Sequence, residues 1–207
     1  MTDKHLSPPS SIEKNSTTGW RKTVEELTGK PVGRDSPVCG VVYLLLDVSP
    51  SMKGQKLKDA VQGAIGFGQD AVLQGYAVGI IRFSGRAAIV CKPSRDVEAL
   101  PAALNQLTVE DATRIEPPLE LAFKELESLP LKRAVVLFTD GQAQDQAAAV
   151  RVAGALKQAR IDVITIGTED ADINFLRRIA TRNDLAVATT TPRIAEAIRA
   201  SVGLLSS

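Results

Sequence analysis

Val41-Val42-Tyr43-Leu44-Leu45-Leu46-Asp47-Val48-Ser49-Pro50-Ser51 decides the fold. Its apolar run reads as a strand buried on both faces. Leu57, Ala60, Val61, Ala64, Ile65, Gly68, Ala71 and Val72 follow and mark one face of a helix over about 54–74. A carboxylate, Asp47, and two hydroxyls, Ser49 and Ser51, therefore stand on the loop where a parallel strand hands over to a helix. In open α/β sheets, ligands bind at the carboxyl ends of strands. Oxygen donors without imidazole or thiolate suit a hard cation, Mg²⁺ or Mn²⁺, better than zinc.

Outward from this stretch, strand and helix alternate. Tyr76 to Phe83 reads as a second strand, and Ser84-Gly85 as a tight turn into a third over 87–90. A turn so short can only reverse the chain, which puts the third strand antiparallel at one edge. A helix is expected around 95–106 and another over 117–128, with Leu119, Ala122, Phe123 and Leu126 inward and Pro117 and Pro118 in its first turn. The fourth strand is 133–139. Asp145 caps the next helix, whose inner face is Ala148, Val152, Ala155, Leu156 and Ala159. A strand over 161–167, a helix marked by Ile173, Leu176, Ile179 and Ala180, a strand over 185–188 and a closing helix with Ile194, Ala197, Ile198 and Val202 complete the series. Such alternation implies an α/β fold with a mostly parallel sheet covered on both faces.

Two later pieces join Asp47, Ser49 and Ser51. Thr113 precedes the helix at 117–128, and Phe138-Thr139-Asp140-Gly141 ends the fourth strand. Together these residues resemble the metal-ion-dependent adhesion site of the von Willebrand factor type A domain family, over about residues 38–204. The family's D-x-S-x-S is matched by Asp47, Ser49 and Ser51, its separate threonine by Thr113 and its second aspartate by Asp140. The resemblance implies a doubly wound, Rossmann-like six-stranded sheet of order 3-2-1-4-5-6, which makes strands one and four neighbours and brings Asp47 and Asp140 together. It also implies that Ser49, Ser51 and Thr113 coordinate the cation directly, with the aspartates acting largely through water. One position of the cation stays open for a partner's Asp or Glu. Ca²⁺ remains a third candidate beside Mg²⁺ and Mn²⁺. One departure is plain: family members often carry glycines just before the threonine, where this chain has Asp111-Ala112. That leaves the shape of the loop open and places a third carboxylate near the site.

Each residue also has a plainer use. Ser49 and Ser51 can cap the first helix, Thr113 another, and Asp140-Gly141 can be turn residues. Asp111 reads as an exposed loop residue. Met52 and Lys53 can rim a contact surface or be solvated. Asp47 and Thr113 are expected on surface loops, so that replacing either by Ala should weaken metal-dependent binding while the fold survives.

The 207 residues suit one α/β domain with a short extension. Hydrophobic content of 44% and charged content of 24% are ordinary for a globular protein. A net charge of +1 with no basic run argues against nucleic acid. No stretch approaches the ~20 apolar residues of a membrane span, and the N-terminus has no apolar core of a signal peptide. Residues 1–18 read as a disordered tail. Residues 19–37 read as a short helical extension carrying Trp20, Val24 and Leu27, which packs on the main domain or anchors a partner. The main domain is expected over 38–207. Cys39 and Cys91 read as buried reduced thiols of a cytoplasmic protein. His5 is the single histidine, which removes His-based triads.

The leading expectation is a cytoplasmic, non-enzymatic binding module that docks a protein through a divalent cation. The resemblance suggests a bacterial setting beside a MoxR-type AAA+ ATPase or in a stress or defence complex. The chain carries no P-loop of its own, so that ATPase is a separate subunit. The alternatives are a Mg²⁺-dependent phosphohydrolase with Asp47 as nucleophile, and a structural domain that assembles without metal. Against the phosphohydrolase, Ser49 stands where such enzymes typically carry a second aspartate.

Overall fold

The computed structural model describes residues 37–110, 112–140 and 143–205. The expected tail over 1–18 and the extension around Trp20 lie outside them.

Six strands form one sheet in the order β3-β2-β1-β4-β5-β6. They are β1 (Gly40–Asp47), β2 (Tyr76–Phe83), β3 (Ala87–Ser94), β4 (Lys132–Thr139), β5 (Asp162–Gly167) and β6 (Ala186–Ala188). All neighbours are parallel except β3, which runs antiparallel to β2 at the edge. The helices are α1 (Gln55–Leu73), α2 (Leu100–Leu104), α3 (Glu116–Leu126), α4 (Gln146–Gln158), α5 (Ile173–Ile179) and α6 (Ile194–Ala200). The architecture is the doubly wound, Rossmann-like α/β fold expected from the sequence.

β1 is buried along its whole length because it is flanked by β2 and β4 and covered above and below. Its side chains alternate between two cores, as the strand period of two requires. Val42, Leu44 and Leu46 pack with Ala60, Ala64 and Phe67 of α1 and Ile194 and Ile198 of α6. Val41, Tyr43 and Leu45 pack with Leu119 and Leu126 of α3, Leu156 of α4 and Leu176 of α5. Gly79 is the β2 partner of Tyr43, and a Cβ there would stand 2.4 Å from the Tyr43 ring. The missing side chain gives the ring its place, and the Tyr43 hydroxyl donates to Glu125 at 3.1 Å.

The expected helix over 95–106 shrinks to Leu100–Leu104. Local polar bonds compete with a helical start, because Asp96 N–H donates to the Ser94 hydroxyl and Glu98 N–H to Asp96. Pro101 then sits in the first turn of the short helix that remains. Strand β3 reaches Ser94, beyond the expected end at 90, and its pairing to β2 is interrupted by register shifts between Val78 and Ile81. Pro117 and Pro118 occupy the first turn of α3 as expected.

Both cysteines are free. Cys39 is exposed and Cys91 half-buried, which corrects the expectation of buried thiols. Cys39 lies just before β1 enters the sheet, and its thiol meets the Gln74 carbonyl at 3.2 Å. Among the described residues, no helix is long and apolar enough to cross a membrane.

Candidate functional site

The strand order puts the last residues of β1 and β4 side by side. Asp47 ends β1 and is fully buried, not on a surface loop as expected. Its Oδ1 accepts the Ser49 N–H at 2.8 Å, and its Oδ2 accepts the Thr139 hydroxyl at 2.5 Å. Burial pushes the Asp47 carboxyl up to about 6, against the opposite pull of the hydrogen bonds from Thr139 and Ser49, and nearby Asp140 raises it further.

A short 3₁₀ turn over Pro50–Met52 separates β1 from α1 and turns the Ser49 and Ser51 hydroxyls toward one another, 3.1 Å apart. The Ser51 hydroxyl donates to Asp140 Oδ1 at 2.6 Å. Neither serine caps a helix with its side chain: the cap residue of α1 is Gly54, and Ser49, which leads into the 3₁₀ turn, makes no side-chain cap bond. Met52, expected at a rim, is fully buried in the α1 core, while Lys53 is exposed.

Asp140 follows β4 and is buried. Besides Ser51, it meets the Lys56 ammonium at 2.7 Å through Oδ2. Lys56 lies in the first turn of α1 and also reaches Asp170, beyond β5, at 3.0 Å. These two carboxylates raise the Lys56 ammonium above its ordinary value, the Asp140 hydrogen bond most.

Thr113 lies in the loop between α2 and α3, half-buried. Three backbone bonds lay this loop across the carboxyl ends of the strands. Glu110 N–H donates to the Val48 carbonyl at 2.8 Å, Arg114 N–H to Ser84 at 2.8 Å, and Gln144 N–H to Thr113 itself at 3.2 Å. Thr113 is thus tied by its own carbonyl to the loop after β4, while Glu110 ties the loop to the residue after β1 and Arg114 to the residue after β2. It does not cap α3, whose cap residue is Ile115. Ala112, before it, has a left-handed backbone with φ 70°. Asp111 and Gly141 lie outside the described residues.

Asp145 caps α4 as expected, accepting from Ala148 N–H at 2.9 Å. Two features escaped the sequence reading. One is the Lys56 bridge between Asp140 and Asp170. The other is Glu110, which pairs with Arg82 and accepts the Ser84 hydroxyl at 3.0 Å. The Arg82 hydrogen bond holds the Glu110 carboxyl below the usual range. Each carboxylate lies far along the chain from the groups it pairs with, so no short-range spacing announces these contacts; the fold brings them near.

The donor set fits a hard cation. Two buried carboxylates share this end of the sheet, and among the described residues no Lys or Arg pairs with Asp47. Two hydroxyls converge between them. Among the described residues, no three His, Cys, Asp or Glu side chains converge to hold an ion; the oxygens beside the two carboxylates are the hydroxyls of Ser49, Ser51 and Thr139. The geometry gives no support to Asp47 as a nucleophile, because both its oxygens are engaged and it is buried.

Residues 42–199 match the model of the von Willebrand factor type A domain. The chain belongs to that family. Members are metal-dependent protein-interaction modules and are generally not enzymes. Two curated relatives, the UPF0353 proteins of Mycobacterium ulcerans (strain Agy99) and Mycobacterium marinum (strain ATCC BAA-535 / M), are each 29% identical over 115 residues. That alignment covers 49% of this chain and 34% of theirs, so the chain spans about a third of the relatives it matches. The vWF domain of the type V pili tip protein Mfa5 from Porphyromonas gingivalis superposes with a TM-score of 0.73 at 13% identity, covering 83% of this chain and 96% of that one. Proximal thread matrix protein 1 from the mussel byssus, with a zinc-occupied MIDAS motif, superposes with a TM-score of 0.64 at 20% identity, covering 80% of this chain and 45% of that one. These likenesses show the fold.

Proposed function

We propose that this type A domain is a metal-dependent docking module with a complete adhesion site. Ser49, Ser51 and Thr113 offer neutral oxygens to a divalent cation, and Asp47 and Asp140 balance its charge. The observation that carries this reading is the use of the two serines: their hydroxyls meet each other, the Ser51 hydroxyl binds Asp140, and neither serves as a helix cap. Mg²⁺ or Mn²⁺ suits the hydroxyl-rich set best, and Ca²⁺ satisfies the same donors. The zinc-occupied motif of the mussel protein supports a metal at this place in the fold. When bound, the cation supplies an electrophilic position that a partner's Asp or Glu can fill. The chain's own residues hold that position at the carboxyl ends of β1 and β4, where a partner can reach it.

The partner in this reading is a protein that presents a carboxylate, and neither nucleic acid nor a membrane. A cytoplasmic bacterial system suits it, with a MoxR-type AAA+ ATPase or a stress or defence complex as the setting.

The test is affinity capture from native lysate on the tagged chain, in Mg²⁺ and then in EDTA, repeated with Thr113→Ala and Asp47→Asn. Asp47→Asn keeps an oxygen for the Ser49 N–H, whereas Asp47→Ala would strand two buried hydrogen-bonding groups. A protein retained in Mg²⁺, released by EDTA and lost with both variants supports metal-mediated docking. A partner indifferent to EDTA and to both substitutions overturns it and favours assembly without metal.

A further inference from the structure

Lys56 has no place in the set of ligand residues, yet it is the cation that the structure puts on Asp140. Its Nζ stands 2.7 Å from Asp140 Oδ2 and 3.0 Å from Asp170 Oδ2. Asp140 has no exposed side-chain surface, the Lys56 side chain is 20% exposed and Asp170 is 64% exposed. The ammonium thus bridges a buried carboxylate and one that faces water. The other oxygen of Asp140 is taken by the Ser51 hydroxyl at 2.6 Å.

We propose that Lys56 is a resident counter-ion of the site, neutralising Asp140 when no metal is bound and so holding down the affinity for a divalent cation. This rests on the metal reading above. Set against the two buried carboxylates, Asp47 and Asp140, the ammonium leaves a single net negative charge between the strand ends, with the Asp170 carboxylate outside in water. A divalent cation must then share Asp140 with a positive charge a few ångströms away, where partial burial strengthens the repulsion. Lysine is suited to this part because its ammonium is a compact charge on a flexible stem. Asp170 gives that charge an outer carboxylate to rest on when Asp140 is drawn toward a metal. The same contact has a benefit without metal, because it holds Asp140 and Ser51 in place. Affinity for metal alone is therefore lower than the two buried carboxylates would otherwise give.

The experiment is calorimetric titration of Mn²⁺ into the full metal-stripped chain, comparing wild type with Lys56→Met, Lys56→Gln and Lys56→Arg. Both neutral variants are expected to bind Mn²⁺ about ten-fold tighter, and the arginine variant to stay within about three-fold of wild type. In EDTA, both neutral variants are expected to melt below wild type, because Asp140 loses its counter-ion. Neutral variants that bind no tighter than wild type overturn the proposal while leaving the metal reading intact. If none of the four proteins takes up Mn²⁺, the metal reading falls and this proposal falls with it. Met and Gln differ in shape and polarity, so one folded neutral variant is enough to decide.

Discussion

Ala112 is the residue where local chemistry and backbone disagree. It sits one position before Thr113 with φ 70°, in the left-handed region. A Cβ in that region costs roughly 1–2 kcal/mol. Glycines often precede the threonine in the family, and their use is visible here: the backbone bends as a glycine would while carrying an alanine. Ala112→Gly should relieve the strain but add entropy to the unfolded chain, at about 0.4–1 kcal/mol. The expected net effect runs from near zero to a gain of about 1.5 kcal/mol, read from the midpoint of urea unfolding. A clear loss of stability would show that the alanine side chain holds the loop through a contact worth more than the strain. The neighbouring ligand candidates behave differently. Ser49, Ser51 and Asp140 adopt their arrangement through side-chain hydrogen bonds, which a sequence motif can announce but not position.

Among the elements, α4 shows how a helix end is closed without its usual residue. Arg160 N–H donates to the Lys157 carbonyl at 3.0 Å and Ile161 N–H to Leu156 at 2.9 Å, the paired bonds of a Schellman motif. The residue in the left-handed position is Arg160, with φ 58°, where glycine is the usual occupant. Arg160→Gly should raise stability by about 0.5–1 kcal/mol. Equilibrium denaturation checks this, and a drop would mean that the arginine side chain packs to more effect than its backbone costs. The long elements were legible because their patterns are long. β1 is a continuous apolar run, and α1 repeats its inner face over 19 residues. The segment around α2 was misjudged because Ser94 and Asp96 turn their side chains onto nearby N–H groups. That choice leaves the apolar spacing intact and so leaves little trace in it.

At the scale of the molecule, the strand order assembles the site. Asp47 and Asp140 are far apart in sequence and become neighbours because β1 pairs with β4. Asp170 joins through Lys56 because β5 follows β4 in the sheet. The motif residues were readable in the chain, since each stands at a strand end or before a helix. The Lys56 bridge was not, because it depends on the depth of burial and on three elements at once. Both central strands are rooted in the cores on the two faces of the sheet. A cation held between their ends therefore ties itself to the global fold and not to a fraying loop. Binding to the folded state alone adds RT ln(1 + [L]/Kd), or about 2.7 kcal/mol when the metal is at about 100 times its Kd. For a chain of this size that corresponds to a rise in Tm of roughly 5–10 °C. Melting curves of the stripped chain with Mn²⁺ at that excess should show the rise, and EDTA should abolish it. Thr113→Ala should flatten the response without lowering the metal-free Tm, since Thr113 contributes its backbone carbonyl to the loop and that carbonyl survives the substitution. A chain whose melting ignores Mn²⁺ would remove the cation from the site and leave Lys56, among the described residues, as the charge that Asp140 holds.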